Sequence, residues 1–214
     1  MWGWKMYPML YSGLNRAVPT ERLHSSDWAF VSDGVYAGLG MVTDGIREYD
    51  QAAINCFYNT PERMEELDCY RPYENPYTSD IDFTGKRVGV VGYLSGLKTR
   101  ITNAADIRFI EKRNIPGCFP EEACEFILPE SDIVIITGSA FINGTMEHLL
   151  ELAGDAYTVV TGPSTPMCPE LFDLGINRLA GFVATDVSGL RQAIIDDHCG
   201  SPYRFGESFV LDRN

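Results

Sequence analysis

The sequence predicts an α/β protein in which a parallel sheet with helices on both faces follows a small α+β unit. Three observations predict it. From Lys86 onward, short apolar runs alternate with helix-like segments. Those runs are near-continuously apolar, as strands buried on both faces of a parallel sheet must be. The residues before position 84 lack this rhythm and alternate apolar with small residues around glycine-bearing turns.

In the first unit, Asp27 to Val42 (DWAFVSDGVYAGLGMV) reads as antiparallel strands. Tyr49 to Tyr58 (YDQAAINCFY) has helical spacing through Ala52, Ala53, Cys56 and Phe57. Met64 to Thr84 is polar and rich in Pro and Tyr, the composition of a boundary. Lys86 to Tyr93 then opens the sheet, followed by a short helix around Leu97 to Ala105 and a weaker strand, Ile107 to Glu111. Pro120 to Leu128 reads as a helix, with Pro at its start and acids in the first turn, where the helix dipole favours them. Asp132 to Thr137, Tyr157 to Thr161 and Leu179 to Ala184 are the remaining strands. Gly144 to Ala153, Pro169 to Leu174 and Val187 to Ile195 are the helices after them. This order is that of a Rossmann-like layered domain. The expected domains are residues 1–83 (small α+β), 84–199 (Rossmann-like) and 200–214 (a C-terminal tail).

Composition excludes several classes. The formal net charge is −13 over 214 residues, and no Lys/Arg cluster exceeds a pair such as Lys86-Arg87, so nucleic acid is not an expected partner. The longest apolar runs are strand-sized, far short of the roughly 20 residues of a membrane span. The start, MWGWKMYPMLY, lacks the features of a signal peptide, and the chain is expected to be cytoplasmic. Six cysteines are scattered with no C-x-x-C pair, as expected of reduced thiols.

Ligands of an open parallel sheet bind beyond the carboxyl ends of its strands. Four loops meet there: Gly92-Tyr93-Leu94-Ser95-Gly96, Glu111 with Lys112, Thr137 to Thr145 (TGSAFINGT), and Gly162 to Cys168 (GPSTPMC). Gly89, Gly92 and Gly96 miss the G-x-G-x-x-G spacing, although Glu111 stands where a ribose-binding carboxylate would. Asn143 and Thr145 flank a helix start suited to an anion, and equally suited to capping its own helix. Ser164 and Thr165 offer hydroxyls on a loop stiffened by Pro163, Pro166 and Pro169. Cys168 is either a soft metal ligand or a packed thiol. Histidine is scarce (His24, His148, His198), and no Ser/His/Asp order or H-E-x-x-H motif supports hydrolysis.

The runs GKRVGVVGY, LPESDIVIITGSAFINGTMEHLLELA and VVTGPSTPMCPELFDLGINRLAGFVATD resemble, in order and spacing, a family described as putative heavy-metal chelation proteins. The segment AAINCFYN is similar to the end of that family's small first domain, which is enolase N-terminal-like. The resemblance implies a site in the cleft between the two domains. Its matching positions are Asn55, Gly92, Tyr93, Thr137, Gly138, Asn143, Gly144, Thr145, Gly162, Pro163, Ser164, Thr165 and Pro166. At its start the sequence departs from that family, and the first domain looks shortened. Amides, hydroxyls and glycines suit an oxygen-rich ligand better than a bare soft metal. The leading expectation is binding of a transition metal, a metal chelate or another small oxygen-rich ligand in that cleft, with Cys168 as the one candidate metal donor. The alternative is an enzyme acting on a phosphorylated or nucleotide-like small molecule, with Glu111 as its base. A third reading makes the aromatic start (Trp2, Trp4, Tyr7, Tyr11) a contact strip for a partner or for a homo-oligomer.

Overall fold

A computed structural model describes residues 21–42, 47–72, 75, 78–94 and 96–213. The aromatic strip around Trp2 and Trp4, and Ser95, lie outside them. The first unit is a three-stranded antiparallel sheet, β1 (Glu21–His24), β2 (Trp28–Ser32) and β3 (Ala37–Met41), in that order. Helix α1 (Glu48–Tyr58) packs on it, followed by α2 (Pro61–Glu66), which is capped by the Thr60 hydroxyl and has Pro at its start. The approach of α1 to β3 is close because Gly38 and Gly40 have no side chain. A Cβ on Gly40 would lie 2.0 Å from the carbonyl oxygen of Glu48, and one on Gly38 would lie 2.2 Å from that of Ala52.

The second sheet has six strands: β4 (Arg87–Val91), β5 (Asp106–Ile110), β6 (Ile133–Thr137), β7 (Tyr157–Thr161), β8 (Arg178–Ala184) and β9 (Gly206–Asp212). Their spatial order is β5-β4-β6-β7-β8-β9; the first five are parallel, and β9 runs antiparallel to β8. The chain thus turns back beside β4, which makes the β4/β6 boundary the topological switch point. The connecting helices are α3 (Leu97–Arg100), α4 (Cys124–Ile127), α5 (Ser139–Ile142), α6 (Met146–Ala153) and α7 (Val187–Ile195).

Alternate residues of the buried strands feed opposite faces. Val134, Ile136 and Val160 pack with Phe141, Leu149 and Ile54, whereas Ile133, Ile135 and Val159 pack with Phe83, Leu97 and Ile101. A further cluster joins Phe30 and Leu39 of the small sheet to Phe182, Leu190 and Ile194. The two sheets therefore share hydrophobic core.

Three expectations are corrected in detail. Residues 200–214, expected as a tail, contain β9, because Phe209, Val210 and Leu211 continue the apolar surface of β8. The helix expected to reach Ala105 ends at Arg100, where Ile101 turns extended and buries its side chain. The helix expected over Pro120 to Leu128 is broken into a 3₁₀ turn, α4 and a second 3₁₀ turn. Buried Arg178 of β8 pairs with Asp212 of β9 at 2.6 and 3.0 Å and donates to the carbonyl of Ser79, tying the connector to the sheet.

Candidate functional site

At the switch point the chain leaves β4 through Gly92, whose φ of +97° is a left-handed angle that glycine adopts without strain. Its N–H donates to Ile110 O at 2.9 Å. A Cβ there would meet Thr137 Cγ2 at 2.8 Å, so the loops after β4 and β6 touch. Glu111 holds the first of these loops. Its Oε2 accepts from the Tyr93 N–H at 2.8 Å and its Oε1 from the Arg113 N–H at 3.1 Å. The carboxylate expected to meet a ribose or act as a base is thus engaged by backbone amides. Tyr93 itself is 51% exposed.

The loop after β6 begins with Thr137, whose hydroxyl lies 3.1 Å from that of Ser139. It ends in a turn in which Asn143 Oδ1 accepts from the Thr145 N–H at 3.2 Å and the Thr145 hydroxyl at 2.7 Å. Asn143 shapes this turn rather than capping α6, which begins at Met146 with no side-chain cap. The positive end of the helix dipole lies at this turn. Arg47, immediately before α1, brings a guanidinium nitrogen within 3.6 Å of where a Gly144 Cβ would stand.

The remaining predicted residues gather one strand further along and are packed away. Asn55, fully buried on α1, donates to Leu39 O at 2.7 Å and Pro163 O at 3.3 Å. Gln51 donates to Ser164 O at 3.0 Å, and the Ser164 hydroxyl accepts from the Met41 N–H at 2.9 Å. Asn59 donates to Thr165 O at 2.9 Å and Phe182 O at 3.0 Å, and accepts from the Met167 N–H at 2.8 Å. Gly162 donates to Ala180 O at 3.1 Å and accepts from the Thr165 N–H at 3.0 Å. Ser164 and Thr165 are both buried. This loop is gripped by a polar stripe of α1. Gln51, Asn55 and Asn59 recur at four-residue spacing and so face one way on a helix. That repeat was the available signal for Gln51 and Asn59, which sequence reasoning missed; Arg47 carried none.

The structure thus brings together Gly92, Tyr93, Glu111, Thr137 and Gly138 at the switch point, and sets Asn143, Gly144 and Thr145 one helical turn further on, beside Arg47. It sets Asn55, Gly162, Pro163, Ser164 and Thr165 in an adjoining buried seam. Gly138 joins the two groups, since a Cβ on it would lie 2.6 Å from Thr165 Oγ1.

Cys168 lies beneath both, fully buried, with its thiol donating to Glu170 Oε2 at 3.0 Å. Burial, and then the Glu170 carboxylate, push this thiol up to about 12. It stays protonated at neutral pH, whereas metals bind the thiolate. Among the described residues no group of three or more His, Cys, Asp or Glu side chains could hold a metal ion. A bare soft metal does not fit the residues present.

The family model described as putative heavy-metal chelation, DUF364, matches residues 78–209. The chain belongs to this family. A family protein of unknown function from Desulfitobacterium hafniense is similar over 98% of both chains, with 26% identity and a TM-score of 0.88. Another of unknown function, from Pyrococcus horikoshii, is similar over 98% of this chain and 97% of that one, with 16% identity and a TM-score of 0.77, and shares the fold. No curated protein matches. The family's description concerns heavy metals, yet the switch point of this member is built from amides, hydroxyls, an aromatic residue and the braced Glu111 carboxylate, with Arg47 beside the Asn143 turn. Among the described residues, no helix is long and apolar enough to cross a membrane.

Proposed function

We propose that the chain binds a small oxygen-rich ligand at the switch point: a carboxylate- or phosphate-bearing metabolite, or a metal already held in an organic chelate. The observation that carries this reading is the meeting of the Arg47 guanidinium with the Asn143-Gly144-Thr145 turn at the start of a helix that has no side-chain cap. The positive end of a helix and a guanidinium attract oxyanions. A chelate presents carboxylate or phenolate oxygens outward, which reconciles a donor-rich protein site with the family's description. Glu111 serves as the brace of the Tyr93 loop, which favours binding over the general-base chemistry of the enzymatic alternative.

Isothermal titration tests the proposal with citrate, ferric citrate, inorganic phosphate and ATP on one side and cadmium and nickel chlorides on the other. One oxyanion or chelate is expected to bind saturably at one per chain and to weaken about tenfold in Arg47→Ala. Saturable binding of the free metals alone, or equal affinity in the variant, overturns it.

A further inference from the structure

The aromatic start of the chain is a sequence feature that neither the fold nor the switch point absorbs. Residues 1–20 carry Lys5 and Arg16 and no Asp or Glu, together with Trp2, Trp4, Tyr7 and Tyr11, in a chain of net charge −13. This cationic, apolar segment leads into β1 and lies outside the described residues.

The opposite composition stands further along. Between Arg113 and Arg178 the sequence has ten Asp and Glu and no Lys or Arg. The fold sets part of that stretch side by side. Glu125 of α4 lies 2.6 Å from Nε2 of His148 on α6, and Glu151 lies 3.8 Å from Nδ1 of the same ring. Cys124, Ile127, Leu149 and Leu150 turn inward to one hydrophobic cluster, which leaves Glu122, Glu125 and Glu151 exposed.

Phe126 stands on the same outer surface. It is 75% exposed, the most of any large hydrophobic side chain among the described residues. A single exposed hydrophobic side chain is ordinary. This one is set in a stretch of uniform negative charge, whereas the exposed Tyr203 and Ile195 have Arg204 and Arg191 close in sequence. Apolar contact and negative charge on one surface fit a partner that is itself apolar and cationic.

We propose that residues 1–20 dock on the α4/α6 surface of their own chain, with an aromatic side chain packed on Phe126 and with Lys5 and Arg16 among the carboxylates. Reach permits it: an extended segment of 20 residues spans up to about 65 Å, against a radius of gyration of about 17 Å for a fold of 214 residues. Attachment to the same chain gives the segment a high effective concentration at this surface, which favours it over the same segment of a second copy. None of these residues belongs to the oxyanion site.

The test is photo-crosslinking of the full chain carrying Phe126→benzoylphenylalanine, followed by digestion and mass spectrometry. A crosslink to a peptide within residues 1–20 is expected, in material that keeps the mass of a single chain. Crosslinks that never include that segment, or that join two chains, overturn the proposal. Acrylamide quenching gives a second reading, because Trp2 and Trp4 are two of the three tryptophans and Trp28 is buried. Glu122→Lys with Glu151→Lys, both at exposed positions, is expected to raise tryptophan quenching at low salt, as added salt is in the wild type. Equal quenching of wild type and variant at low salt overturns the proposal.

Discussion

Asn59 does three things with one amide. It caps two carbonyls, of Thr165 and Phe182, and receives the Met167 N–H, all in the interior. Removing that amide strands backbone groups that water cannot reach, at about 1–3 kcal/mol for each group left unpaired. Asn59→Ala is therefore expected to lower unfolding stability by about 3 kcal/mol, measured by urea denaturation; a loss under about 1 kcal/mol would show that the amide is dispensable. Cys168 illustrates the reverse case. Its place in a proline-rich loop at a strand end suggested a ligand, but the side chain turns inward to Glu170 and is closed off from solvent. Side-chain direction at one loop position has no periodicity to reveal it, so the sequence left both readings open.

At the scale of elements, the position of α1 decides where the seam lies. Its backbone rests on Gly38 and Gly40, and any side chain there must push helix and hairpin apart. Gly40→Ala is expected to cost about 3 kcal/mol, as overpacking does, and to loosen the Met41 to Ser164 bond. Hydrogen exchange at the Met41 amide checks this, with faster exchange in the variant expected and unchanged protection contradicting it. The strands β4, β6, β7 and β8 were legible as continuous apolar runs, and the helix over Tyr49 to Tyr58 from its spacing. Several elements were not, among them the short helices α2 and α5 and two strands. β1 reads ERLH, with three of its four residues charged or polar, and becomes a strand because β2 offers it an edge. β9 is too short a signal to rise above a surface tail until β8 supplies its partner. In both, tertiary pairing outweighs local composition.

Across the whole molecule, the order of parallel strands places one switch point, between β4 and β6, and the loops that meet there were legible from the sequence. What composition could not tell was which polar residues face solvent and which grip the neighbouring chain, because amides and hydroxyls serve both purposes equally well. The acidic chain, with net charge −13, places Arg47 beside the Asn143 turn, a local cation that would hold an oxyanion against the general field. That assignment is the centre of the account. The most direct measurement is an iron-edge anomalous difference map from a crystal soaked in ferric citrate, paired with a cadmium-soaked crystal as control. Iron density is expected beside Arg47 and the Asn143-Gly144-Thr145 turn, with no cadmium at Cys168. Cadmium bound at Cys168, with the switch point empty in the ferric citrate soak, would contradict it.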